Sequence, residues 1–226
     1  MSSERLTLVW FRQDLRLADN PALSAAAAAG QVLPIYILDD VNAGDWKIGS
    51  ASRAWLNHSL QALHRSLEGK LQLFCGDAHA IIATLIESLP ISAVYWNRCY
   101  EPWRIERDAQ IKSALADRDI EAHSYNASLL WEPWTVSKGD GTPYRVFTPY
   151  YSKGCLSLPP PRQPLGRPRG LHCLESEAVN SVSLAALELL PSQDWHHSML
   201  KHWEIGEQAA QRGLESFCAG ALDIYR

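Results

Sequence analysis

Nowhere in the sequence do roughly 18 apolar residues run together, so it encodes no membrane-spanning helix. There is no C-x-x-C pair, and the five cysteines (Cys75, Cys99, Cys155, Cys173 and Cys218) are odd in number. A disulfide framework is therefore not expected, no metal-site signal is given, and a reducing, cytoplasmic setting suits the chain. Positive charge is not in excess. The formal net charge is −4, which removes any whole-surface argument for nucleic acid. The phosphate cradles of nucleotide-binding proteins are also missing. After the first apolar run, where G-x-G-x-x-G would stand, the sequence reads Arg12-Gln-Asp-Leu15, and no G-x-x-x-x-G-K-[ST] occurs. Met1-Ser-Ser-Glu-Arg5 leads into an apolar run of only about six residues, too short for the core of a secretory signal. There is no internal repeat.

What is present is an ordinary globular composition, 46% hydrophobic and 20% charged over 226 residues, enough to bury a core without staples. Leu6 to Phe11 reads as a buried strand. Asp19 or Asn20 caps a helix with Pro21 in its first turn, and the alanine-rich run to Ala29 propagates it as far as Gly30. Gln31 to Leu38 is a second strand, with Pro34 arguing against a central position. Val41 to Ser50 reads as a polar loop. Leu56, Leu60, Leu63 and Leu67 recur on one face of a long helix that Gly69 stops. Leu71 to Cys75 is a strand, Ile81 to Leu89 an amphipathic helix, Ser92 to Trp96 a strand, Pro102 to about Asp117 a helix, and Ile120 to Ser124 a weaker fifth strand. Strands and helices alternate with connections too long for hairpins. That is the pattern of βαβ units in a parallel sheet covered on both faces. The expected fold is therefore α/β, with residues 1–128 forming a doubly wound, five-stranded, Rossmann-like parallel sheet.

Residues 129–226 break this pattern and read as an extended carboxyl-terminal connector. Lys138 to Pro143 is dense in turn formers and joins two aromatic-rich stretches. Five of the thirteen prolines fall between Pro159 and Pro168, so Pro159 to Gly170 reads as a linker. Beyond it, Leu184 to Leu190 and Glu207 to about Tyr225 have helical character but offer little core-forming material.

Ligands of open α/β sheets bind outside the carboxyl ends of the strands. Here those ends are Arg12–Arg16, Leu38–Asp40, Cys75–Asp77 and Asn97–Glu101, all able to hydrogen-bond a heterocycle. Each residue also has a structural reading: Asp14 as a brace of its own loop, Arg16 as a partner of Asp19. The nine tryptophans read mostly as core or ring-packing residues. His196, His197 and His202 are spaced poorly for one helical face, and no acidic or cysteine ligand stands at a useful offset. They read as a solvated polar stretch rather than a metal site. No Ser-His-Asp arrangement can be picked out, and no catalytic residue is assigned. The arginines between Pro161 and Arg169 read as a solvated basic loop.

The segment Leu8-Val-Trp-Phe-Arg-Gln-Asp-Leu-Arg-Leu-Ala-Asp-Asn-Pro-Ala-Leu23 resembles the opening signature of the photolyase and cryptochrome family. The likeness continues through Ser52–Leu60, Val94–Pro102 with Glu106-Arg-Asp108, Tyr144–Tyr150, Gly206-Glu-Gln-Ala-Ala210 and Phe217–Tyr225, in order and at family-like spacing. The resemblance implies the amino-terminal antenna half of a DNA photolyase, the half that holds a light-harvesting second chromophore. In full-length members a helical flavin domain follows, which binds FAD and damaged DNA and splits cyclobutane pyrimidine dimers. That domain is the implied partner, and FAD belongs to it rather than to this chain. The implied antenna chromophore is a deazaflavin or methenyltetrahydrofolate.

By position the resemblance assigns Arg12, Asp14, Tyr36, Leu38, Arg53, Cys99 and Glu101 to the chromophore pocket. Tyr36 and Leu38 would form an apolar wall, Glu101 would accept ring N–H groups, and the arginines would take a carbonyl or phenolate oxygen. Two departures stand out. Cys99 replaces the acidic residue of deazaflavin-binding members, and Trp103-Arg104 replaces the Asn-Glu pair of folate-binding members. These imply a weakened or empty site, with Trp103 placed to fill it. Two alternatives stay open, a nucleotide-binding module and a cryptochrome-like signalling fragment, neither with enzymatic activity of its own.

Overall fold

Five short apolar runs alternate their side chains across one sheet. In a computed structural model, which describes residues 5–174, 178 and 180–225, these runs are β1 (Leu6–Phe11), β2 (Gln31–Leu38), β3 (Gln72–Cys75), β4 (Ile91–Asn97) and β5 (Glu121–Tyr125). The start, Met1 to Glu4, on which the reading of a missing secretory signal partly rests, lies outside the described residues, as does Arg226 at the end of the connector. The strand order is β3-β2-β1-β4-β5, and every pairing is parallel. The expected doubly wound α/β sheet is thus the observed one. Phe11 stands beside Tyr36 and Trp10 beside Trp96, so the carboxyl ends of β1, β2 and β4 meet at one rim.

Residues of opposite parity go to opposite faces, as the strand period requires. Val9, Phe11, Val32, Tyr36 and Leu38 pack under α1 (Pro21–Ala29) and α3 (Ser50–Ser66). Leu8, Trp10, Leu33, Ile35, Val94 and Trp96 pack under α4 (Ala78–Ser88) and α5 (Pro102–Ala116). Trp10 and Trp96 meet edge to face with ring centroids 6.2 Å apart at the centre of this second layer. They are the only buried tryptophans among the described residues. Trp46, Trp134 and Trp203 are exposed, but Trp55 and Trp203 pack edge to face at 5.8 Å, Trp134 lies 6.0 Å from the Tyr100 ring and Trp195 lies 6.2 Å from the His196 ring, so most of the nine tryptophans are core or ring-packing residues, as expected.

Pro34 turns out to lie in a strand paired on both sides. Val32 donates its N–H to His172 and accepts from Leu174, so by strand alternation Pro34 faces that same side, just before β3 begins to pair at Ile35 with Gln72. The missing N–H therefore falls in a gap of the ladder and leaves the β1 pairing whole.

The stretch expected as a polar loop, Val41 to Ser50, instead carries α2 (Asp40–Ala43). Asp39 caps it by accepting from the Asn42 N–H at 3.0 Å, a signal too local to show in hydrophobic periodicity. The connector also contributes more to the core than expected. Cys173 bridges to Val32, Val182 bridges to Leu73 along the β3 edge, and Leu187 and Leu189 are buried beneath α3. These residues bury at i, i+2 along irregular chain, so no helical period announces them. Further elements are a short turn, α6 (Phe147–Pro149), then α7 (Trp195–Leu200) and α8 (Glu207–Ala219). Pro159 to Gly170 is largely exposed and without regular structure, held by Asp19, which pairs with Arg162 at 2.5 Å and bonds the Leu165 backbone, and by Arg167 on the Ser66 carbonyl.

Among the described residues no helix is long and apolar enough to cross a membrane.

Candidate functional site

The rim where β1 and β2 end opens into a cavity of about 670 Å³. Its floor is the β1–α1 loop and the end of β2. One wall is the first turns of α5 (Trp103, Arg104, Arg107) and another is the start of α3 (Ser52, Trp55, Leu56). The remaining side is closed by α8 through Gly206, Glu207, Ala210 and Leu214. Gly206 makes this closure possible. Its φ is +113°, and a Cβ there would meet the Ala62 Cβ at 2.7 Å, so only glycine lets α8 start so close to α3.

Beneath the cavity lies a buried charge network. Arg12, leaving the end of β1, donates to Asp108 at 2.5 Å and to the Asn97 carbonyl. Arg107 donates to Asp108 at 2.8 Å and to Asp39 at 3.1 Å. The Arg12 and Arg107 guanidinium carbons lie 5.0 and 4.5 Å from the Trp10 ring centroid. Two buried cations thus face two buried carboxylates, with an aromatic ring beside them.

The crevice between β1 and β4, where the strand order reverses, is filled by polar side chains. Asn97 donates to Asp14 and, at 2.7 Å, to Asn20, and it accepts from the Ala22 N–H at 3.1 Å. Asp14 also accepts from the Arg12 N–H at 2.9 Å, and Asn20 caps α1 by accepting from Leu23 at 3.0 Å. The open space therefore sits beside the reversal point, over β1 and β2. Two more of the loop's donors are spoken for as well. The N–H groups of Leu17 and Ala18 both donate to the Glu207 carboxylate of α8 at 2.8 Å.

Of the residues expected at the site, Arg12, Tyr36 and Leu38 line the cavity. Tyr36 is buried and makes no hydrogen bond among the described residues. Burial raises its phenol well above the ordinary tyrosine range, with Arg104 opposing and Asp40 adding. Asp14 braces the loop from behind. Arg53 pairs with Asp40 and donates to the Ile48 carbonyl at 3.0 Å. Cys99 is buried and takes an N–H of Arg104 at 3.3 Å. Glu101 accepts from Gln13 at 3.1 Å. The last four do not line the cavity. Trp103 forms wall rather than filling, since the space remains open in front of it.

Sequence reasoning gave no role to Asp39 as partner of Arg107, to Arg107 and Asp108, or to Glu207. Arg107-Asp108 is an adjacent charged pair on the buried side of a helix, and burial is what makes it visible. His196, read as solvated, is 4% exposed, its ring 4.1 Å from that of His197. No cluster of histidine, cysteine and carboxylate able to hold a metal ion occurs among the described residues.

With this geometry in view, the comparisons with known proteins are specific. The family profile described as DNA photolyase matches residues 7–168. A deoxyribodipyrimidine photo-lyase of Agrobacterium fabrum is 38% identical over 223 residues, covering 96% of this chain and 46% of the relative. Cryptochrome-2 of Arabidopsis thaliana is 37% identical over 236 residues, covering 100% of this chain and 38% of the relative. The crystal structure of a bacterial class III photolyase from Agrobacterium tumefaciens aligns with a TM-score of 0.88 and 35% identity over 98% of this chain and 46% of that one. The chain spans less than half the length of each of these proteins.

Proposed function

Because the chain belongs to the DNA photolyase family, we propose that it is the antenna part of a photolyase-type protein. Its cavity takes a flat, light-absorbing heterocycle. The absorbed energy passes to a reduced FAD held by a helical flavin domain, which in turn binds damaged DNA and performs the light-driven cleavage of the pyrimidine dimer. This chain supplies the absorbing step and no bond chemistry. On this reading residues 1–128 are the antenna layer, and 129–226 are the connector that leads, through α8, into the helical part.

The observation that carries the reading is the cavity of about 670 Å³ at the carboxyl ends of β1 and β2, inside the 300–1,000 Å³ range of small-molecule sites. Tyr36, Leu38, Leu56 and Trp103 give it apolar surface against which a planar ring system packs. The residues present thus fit such a group, and a deazaflavin and methenyltetrahydrofolate are the two candidates.

A nucleotide-binding role is disfavoured by the donors themselves. A phosphate at the β1–α1 loop needs free backbone N–H groups. Leu17 and Ala18 give theirs to Glu207, Ala22 to Asn97 and Leu23 to Asn20.

The test is the absorption spectrum of the purified chain, followed by titration with each candidate chromophore and, separately, with ATP. Saturable binding that red-shifts or quenches the chromophore supports the antenna reading. Binding of ATP alone would replace it with the nucleotide module.

A further inference from the structure

We infer that Lys112 is a site of covalent acylation, taking the acyl group of a small acyl phosphate while Arg98 holds the reagent's phosphate. This site is independent of whatever fills the cavity. Lys112 stands on α5 and reaches across to β5, where it donates to the Ser124 hydroxyl at 2.8 Å. Its Nζ lies 5.6 Å from the Trp96 ring centroid. The residue as a whole stays exposed, so a small reagent reaches it.

Two cations share that hydroxyl. Arg98 donates to the same Ser124 oxygen at 3.0 Å and to the Ser124 carbonyl. Lys112 makes no ion pair among the described residues. Asp108, one helical turn earlier, is already spent on Arg12 and Arg107. Arg98 is paired through its Nε with Glu132 at 2.7 Å, and Glu132 also accepts from Tyr100 at 2.7 Å. The Arg98 Nη2 has no partner among the described residues. A lysine that lies over a ring beside an arginine, with no carboxylate of its own, is pushed towards the neutral amine, the form that attacks. Burial lowers its proton affinity first, Arg98 and Arg12 add to this, and Asp108 opposes.

The amine nitrogen attacks the carbonyl carbon of the acyl phosphate. The bond from that carbon to the phosphate oxygen breaks, its electron pair leaves with phosphate, and the nitrogen sheds one proton to water. Nothing is oxidised or reduced. The unspent Arg98 Nη2 gives the reagent's phosphate a charged donor close to the amine. In the product an amide replaces the ammonium, so the like charge beside Arg98 disappears, while the new N–H keeps Ser124 as an acceptor.

In the experiment the purified chain is incubated with acetyl phosphate, and acetylation of each of its six lysines is followed over time by peptide mass spectrometry. Lys47, Lys138, Lys153 and Lys201 are exposed and serve as internal controls. At neutral pH Lys112 is expected to react faster than their mean by about threefold or more, and its rate should level off at lower pH than theirs. With the uncharged acetyl ester of N-hydroxysuccinimide the lead should shrink but persist, since that reagent offers Arg98 no phosphate. Arg98→Gln should remove the difference between the two reagents, and Ser124→Ala should weaken the lead with both. A urea midpoint matching the wild type shows that each variant keeps its fold; where one does not, the wild-type competition decides alone. If Lys112 acetylates no faster than the controls, or levels off with them, the site is overturned. An equal lead with both reagents in the wild type, or a difference that survives Arg98→Gln, overturns the role of Arg98.

Discussion

Asp108 is the keystone of the buried network, and replacing it tests the whole arrangement. It accepts from Arg12 at 2.5 Å and from Arg107 at 2.8 and 3.2 Å, with all three side chains 10% exposed or less. Asp108→Asn keeps the volume and removes the charge, so two buried guanidinium groups are left facing Asp39 alone. Removing one member of a buried pair costs about 3–5 kcal/mol, because the partner's charge stays buried without compensation. Arg107 retains Asp39 and Arg12 retains the Asn97 carbonyl, which places the expected loss near the lower bound, about 3 kcal/mol. In urea, with a slope of about 2–3 kcal/mol/M for a chain of this size, the midpoint should fall by about 1–1.5 M with the slope unchanged. The companion Arg12→Met removes one stranded cation. The double variant should therefore be more stable than the sum of the single losses predicts. A midpoint shift under about 0.3 M in Asp108→Asn, or strict additivity in the double variant, would refute the network as the support of this rim.

Glu207→Ala frees the amides of Leu17 and Ala18 and unlatches α8, at a cost of about 1–3 kcal/mol in local stability. Hydrogen exchange should speed up at those two amides and along α8 but not in β1 and β4, and unchanged protection there would contradict the latch. His58, on α3, is held below the ordinary histidine value of 6.5, first by burial and then by the nearby His196 and His197 of α7. The unfolded chain therefore takes up this proton first. The stability contribution is full above pH 6.5, is lost as the pH falls below it, and levels off once the folded His58 protonates. Urea midpoints across that window should fall less steeply in His58→Asn than in the wild type; identical slopes would remove His58 from the account. Limited proteolysis should cut first between Pro159 and Gly170, where the chain is exposed and tied down at only a few points. A first cut within α3 would contradict the domain map.

The sheet and its helices were legible because each element announces itself locally. Val9, Phe11, Tyr36 and Leu38 alternate with Leu8, Trp10, Ile35 and Ile37, and the leucines of α3 repeat at helical spacing. What the sequence hid depends on distance along the chain. Leu187 and Leu189 carry no period that marks them as core, yet they close one layer. Glu207 looks like an ordinary first-turn acid until the fold brings it to Leu17. Tyr36 and Leu38 were findable from position at a strand end. The neutralisation of Arg12 by Asp108 could be read only from side-chain partners.

The bond between Glu207 and the β1–α1 loop spans 190 residues to Leu17 and 189 to Ala18. During synthesis that loop emerges early and its acceptor late. At about 5–20 residues per second, translation leaves the two amides to water for some 10–40 s before the acceptor exists. The rim of the sheet is consequently finished last, long after its strands can pair. A recombinant fragment trimmed at the edge of the α/β layer would inherit the sheet but leave one side of its binding chamber open. Any expression boundary meant to preserve that chamber belongs beyond Ala219.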